Sequence, residues 1–101
     1  MRLLWTKRGL KRLQTAFDYI ADNFYLDYAI QFDRDARNVA LMLPDNPQLG
    51  REAFPEINRP ELRKILCDHY HYWIFYRTKK NLIEILSVRH CLMNIDSPQK
   101  L

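Results

Sequence analysis

All three histidines of the chain, His69, His71 and His90, fall between Arg63 and Cys91, in the stretch RKILCDHYHYWIFYRTKKNLIEILSVRHC, together with both cysteines and five aromatic residues. Two histidines held near arginines can do general acid–base work on a phosphodiester. Imidazole titrates near neutral pH, and a guanidinium offsets the charge that builds on phosphorus. The same residue types also make ordinary polar strand ends, satisfied by hydrogen bonds, and a histidine in such a place points to function only statistically.

Register decides which of these groups can meet. Aromatic and β-branched residues mark strands near 62–68, 70–79 and 82–90, and connections so tight require antiparallel pairing. A two-residue turn at Lys80-Asn81 sets Lys79 opposite Leu82, Arg77 opposite Glu84, Phe75 opposite Leu86, Trp73 opposite Val88 and His71 opposite His90. A three-residue turn sets Tyr76 opposite Glu84 and Tyr70 opposite His90 instead. In the first register His71, Arg77, Glu84 and His90 share one face. Tyr72, Ile74, Ile83 and Ile85 share the other, which suits packing on helices. Trp73, Phe75, Leu86 and Val88 make the polar face mixed, so its centre needs a cover, from a loop or from a partner.

A second constellation is cationic. Lys7, Arg8, Lys11 and Arg12 crowd the start of a helix, where like charges one turn apart repel and cations oppose the helix dipole. Such a cluster either grips an anion, as a phosphate backbone or an acidic partner segment would supply, or is a solvated basic face. Cys67, His69, His71 and Cys91 are of zinc-ligand type, but no paired C-x-x-C or H-x-x-x-H spacing appears, so no metal is expected. Gly9 and Gly50 lie in no phosphate-binding loop motif.

The elements that carry these residues follow from periodicity. Arg2 to Trp5 reads as a strand, and Thr6 as the N-cap of a helix over about 7–23, whose apolar positions are Leu10, Leu13, Phe17, Ile20 and Phe24. A second helix starts near Asp27, carries Ala29, Phe32, Ala36, Val39 and Leu43 along one side, and stops at Pro44. So short a link makes the two helices an antiparallel hairpin. Residues 44–61 hold four of the five prolines and read as an ordered, irregular loop. The last residues, NIDSPQKL, read as a frayed tail. The order β-α-α-β-β-β predicts an α+β fold, a helical hairpin on one face of a mostly antiparallel four-stranded sheet. A length of 101 residues suits a single domain, 1–101. The net charge of +4 favours an anionic partner. Two cysteines without a disulfide pattern suit the cytoplasm, and no run approaches the roughly 18 apolar residues of a membrane span.

The pieces LLWTKRGLKRL, FDYIADN, PDNPQLGRE, ELRKI, YWIFYR, LIEILSV and RH, in this order and spacing, resemble the RelE/ParE superfamily of toxins from bacterial type II toxin–antitoxin systems. The resemblance spans about residues 2 to 94. It implies a growth-inhibiting toxin, neutralised by a cognate antitoxin through which the complex binds operator DNA, with no cofactor. One branch of the superfamily cleaves messenger RNA on the ribosome. The other, typified by ParE, poisons DNA gyrase. Leu62-Arg63, Tyr76-Arg77 and Val88-Arg89-His90 resemble the gyrase branch, which commonly continues with a glycine and a later arginine where this chain has Cys91-Leu92-Met93-Asn94. The arginine- and lysine-rich set of RelE itself is not reproduced. His71 and Cys91 fall near positions where arginines are expected. A ribonuclease reading makes His90 and His71 the acid–base pair acting on the 2′-hydroxyl and gives phosphate to Arg77, Arg63 and Arg89. A gyrase reading makes His90 and Arg77 structural or contact residues. A homologue that binds without toxicity is the third reading. In all of them Lys7, Arg8, Lys11 and Arg12 are candidates for binding nucleic acid or antitoxin.

Overall fold

The computed structural model describes residues 1–101, apart from the side chain of Asp68. Strand β1 (Arg2–Trp5) leads into α1 (Lys7–Asn23) and α2 (Leu26–Leu41). A two-residue strand β2 (Arg51–Glu52) follows, then β3 (Leu62–Cys67), β4 (Tyr72–Lys79) and β5 (Leu82–His90). The sheet order is β1-β5-β4-β3-β2, antiparallel except for the parallel pair of β1 with β5. The sheet therefore has five strands and not four. The extra strand, β2, pairs Arg51 and Glu52 with Lys64 and Arg63, and two charged residues carry no alternation that a sequence could display.

The start of α1 is tied to β5. Thr6 caps the helix by accepting from the Gly9 amide at 3.0 Å, and its hydroxyl donates to the Ile85 carbonyl at 2.7 Å. The Thr6 amide donates to the same carbonyl at 3.1 Å. A Cβ on Gly9 would run into that carbonyl oxygen. So close an approach selects small residues, and the buried stripe of α1 is Gly9, Leu13, Ala16 and Ile20. Leu10 and Phe24, expected inside, are 43% and 63% exposed, and Phe17 is only half-buried. Side-chain size had suggested the wrong edge of the stripe. On α2, Ala29, Phe32, Ala36 and Ala40 are buried, with Leu43 beyond the helix end.

The two sheet faces bury separate cores. Tyr72, Ile74, Tyr76, Ile83, Ile85 and Val88 pack with the helices. On the outer face Ala53, Phe54, Leu62, Phe75 and Leu101 cluster, with Trp73, Leu86 and Ile95 against them. The long loop and the last residues are thus the cover that the mixed face requires. The tail is not frayed: Leu101 is 5% exposed, and its carbonyl accepts from Ser87 Oγ and Arg12 Nε, each at 3.0 Å. The loop is pinned from beneath by Tyr76, whose hydroxyl donates to the Pro47 carbonyl and accepts from the Gly50 amide, both at 2.9 Å.

The β4–β5 hairpin begins in the two-residue register. Lys79 opposes Leu82 and Arg77 opposes Glu84, with Asn81 at φ 48°, the left-handed conformation such a turn requires. After Tyr76–Ile85 the pairing slips, so that Phe75 opposes Ser87, Trp73 opposes Arg89 and Tyr72 opposes His90. One extra residue on β5 forms a bulge and reverses the facing of everything beyond it. The expected pairs Phe75–Leu86, Trp73–Val88 and His71–His90 do not form. Among the described residues, no helix is long and apolar enough to cross a membrane.

Gly9→Ala tests the close approach of α1 to β5. Alanine favours a free helix, yet here the substitution should cost about 1–3 kcal/mol of unfolding free energy, the scale of overpacking against backbone that cannot retreat. Chemical denaturation that shows an unchanged or higher stability would place α1 further from the Ile85 carbonyl.

Candidate functional site

The bulge disperses the residues that the sequence pattern had brought together. His90, at the end of β5, is half-buried on the helix side, where its ring meets that of Tyr72 edge-on at 5.0 Å. Its Nδ1 accepts from the Leu92 amide at 3.1 Å, which holds the chain as it leaves the strand. His71 lies just before β4 at φ 59°, with an exposed side chain and a carbonyl that accepts from the Cys91 amide at 2.8 Å. It is a turn residue and does not face His90.

Two of the three candidate arginines, Arg77 and Arg63, sit at the far end of the sheet. Arg77 opposes Glu84, five residues along β4 from the Tyr72–His90 pair, or roughly 17 Å at the usual strand rise. Its Nε and Nη2 donate to one Glu84 carboxylate oxygen at 2.9 and 2.7 Å. Lys79 Nζ lies 3.7 Å from the same oxygen. Arg63 Nε and Nη2 donate to the Gly50 carbonyl at 3.0 and 2.6 Å, fastening the loop to β3. Both guanidiniums are engaged in holding the fold. No shared phosphodiester can be reached from His90, Arg77 and Arg63 together. The described residues contain no group of His, Cys, Asp and Glu able to hold a metal ion.

What the fold does assemble is a groove of about 340 Å³ between α1 and the second half of β5. β1 pairs β5 only from Leu82 to Ile85, so among the described residues no strand pairs with that edge of β5 beyond Ile85, while β4 continues along its other edge. Ala16, Tyr19, Tyr72 and Val88 give the groove an apolar floor, and Leu92 and Met93 close one end. Leu92 is 90% exposed and Tyr19 55%. Arg12 and Arg89 stand on its rim. Burial lowers the pKa of Arg89, helped by the nearby charge of Arg12, and Arg89 Nε is buried without a hydrogen-bond partner among the described residues. Lys7, Arg8, Lys11 and Arg12 line an adjoining cavity of about 370 Å³ with Gln99 and Leu101. The cationic cluster and Arg89 thus fall around one region, while the histidine–arginine set is spread over the sheet. Tyr19, Leu92 and Met93 escaped sequence reasoning. Tyr19 stands off the expected apolar stripe, and the other two follow the last recognised strand.

The Arg77–Glu84 pair is a stability element with a definite pH dependence. The hydrogen bonds from Arg77 hold the Glu84 carboxyl below the usual carboxylate range. A depressed pKa contributes stability that is present above the unfolded-state value and is lost as pH falls through the folded one. Glu84→Gln should cost about 1 kcal/mol at neutral pH, given the partial exposure of Arg77. The gap from the unsubstituted chain should close as the pH drops below the ordinary carboxylate range. A gap that persists in acid would assign the loss to packing and not to charge.

Comparison with known proteins agrees with this architecture. The sequence matches the family model of the ParE toxin of type II toxin-antitoxin system, parDE, over residues 3–95. Among solved structures, the fold is similar to a chain of the chromosomal ParDE TA system from P. aeruginosa. The TM-score is 0.75 at 20% identity, covering 89% of this chain and 95% of that one. No curated protein sequence matches. With a family match that leaves out only the chain's ends, this protein belongs to the ParE toxin family of type II toxin–antitoxin systems.

Proposed function

We propose that this chain inhibits growth by binding DNA gyrase, without catalysis of its own, and that an antitoxin neutralises it. The observation that carries this reading is the separation of the candidate catalytic groups. His90 has no second histidine opposite it, and of the three arginines expected to hold phosphate only Arg89 stands near it, while Arg63 and Arg77 sit four and five positions along β4 from the Tyr72–His90 pair, bonded to Gly50 and Glu84. General acid–base chemistry needs its groups within hydrogen-bond reach of one reacting centre. Membership of the ParE family, whose resemblance implies a gyrase target, points the same way. The purified chain should inhibit supercoiling by gyrase and leave ribosome-bound message intact. Cleavage of that message, abolished by His90→Ala, would overturn the reading in favour of a ribonuclease.

The antitoxin segment, on this proposal, lies in the groove between α1 and the open edge of β5. An extended or helical segment there gains the apolar floor, a strand edge that β1 leaves unpaired, and the charges of Arg12 and Arg89 for its acidic residues. Lys7, Arg8 and Lys11 are exposed beside it and would steer an acidic partner, an effect that salt weakens. Tyr19→Asp with Leu92→Asp should lower antitoxin affinity at least tenfold, an order-of-magnitude expectation for losing apolar anchors. Both side chains are exposed, so the unfolding midpoint should hold. Undiminished affinity would move the antitoxin elsewhere.

A further inference from the structure

The outer face of the sheet carries a cationic place of its own, separate from the groove. Lys64 of β3 stands directly opposite Arg51 of β2 on one side and Phe75 of β4 on the other. Like charges directly opposite across two strands destabilise a sheet. Both cations are drawn over one ring. Lys64 Nζ lies 4.5 Å from the centre of the Trp73 ring and Arg51 Cζ lies 5.1 Å from it. Lys64 Nζ is also 6.0 Å from the centre of the Phe75 ring. The partner of Trp73 on β5 is a third cation, Arg89.

A ring face attracts a cation but does not neutralise it, and neither ammonium nor guanidinium can bond to a ring with all its donors. Among the described residues, neither Arg51 nor Lys64 forms a salt bridge. Burial, and then the charge of Arg51, lower the pKa of Lys64, while Cys91 and then Glu56 act against them. The indole itself remains partly exposed. The arrangement therefore offers unspent positive charge beside a flat apolar surface.

We propose that Arg51, Lys64 and Trp73 form a binding site for a single strand of nucleic acid, with a backbone phosphate between the two cations and a sugar or base against the exposed part of the indole. Cations that track a backbone beside an aromatic platform are the composition by which single strands are bound without sequence preference. An acidic peptide would satisfy the cations and leave the indole without a role. The site stands on the sheet face opposite the helices and does not depend on gyrase being the target.

The test uses the purified full chain with four probes: a short labelled oligodeoxynucleotide, the oligoribonucleotide of the same sequence, a polyglutamate peptide and inorganic phosphate. Binding is read by anisotropy and by Trp73 emission in a Trp5→Phe background. One or both oligonucleotides should bind and change the emission. Arg51→Gln with Lys64→Gln should weaken binding at least tenfold and reduce the log–log salt slope by about 1.4, the value for two phosphate contacts on a single strand. Trp73→Leu should weaken it by about tenfold. Arg51→Lys with Lys64→Arg should restore most of the affinity, which separates lost charge from a disturbed fold. Oligonucleotide binding unchanged by the double glutamine substitution would overturn the proposal. So would polyglutamate, or phosphate alone, binding as tightly as the oligonucleotides and losing affinity on the same substitutions, since the site would then serve an acidic protein or a small anion.

Discussion

The carbonyl of Ile85 is the point on which the architecture turns. It accepts two hydrogen bonds from Thr6, it stands where only a glycine fits at position 9, and it marks the end of the ladder between β1 and β5. The β4–β5 register slips immediately beyond it. The bulge lets β5 turn away, and α1 then runs past the strand's second half. The end of β1 at this residue leaves room for the groove, and the bulge beside it decides which side of the sheet His90 and Arg89 occupy.

A second dependence runs through Tyr76. Its ring is wholly buried in the helix-side core, while its hydroxyl serves the Pro-rich loop at Pro47 and Gly50. The Gly50 carbonyl is then taken by Arg63. Held at that point, the loop delivers Ala53 and Phe54 onto the outer face, where the Phe54 and Phe75 rings stack at 6.1 Å. The outer core is small and has no element of its own. It exists because a side chain of the inner core reaches out to anchor its lid.

Much of this was legible in the chain. Thr6, Pro44 and the two-residue turn are local signals with local causes, and each sits where its chemistry requires. The helix-facing set Tyr72, Ile74, Ile83 and Ile85 followed from alternation up to the bulge. The bulge itself was hidden because Ile85-Leu86-Ser87-Val88 is compact and mostly apolar on both sides of the slip, so either register buries acceptable residues. Small residues hid the true face of α1, because Gly9 and Ala16 show their importance only once a backbone lies against them. The candidate site suffered most. Histidine and arginine were visible as types, but whether they meet depends on register, and a slip of one residue undid it. The pairing of Lys64 and Arg51 needed β2, a strand too short to announce itself.

The two borders of the sheet are unlike. At one, β2 offers two residues, both charged, before the chain turns in with Ala53 and Phe54 onto the outer core. At the other, β5 is bare for the whole stretch past Ile85. A chain that joins the sheet at the bare border finds on the opposite one only the two residues of β2 and the short end of β3 beyond them, so the junction is poorly repeated from molecule to molecule. Growth by strand addition is disfavoured after one step. The molecule can keep a receptive border in the cell without seeding fibres, because its far border is blunt.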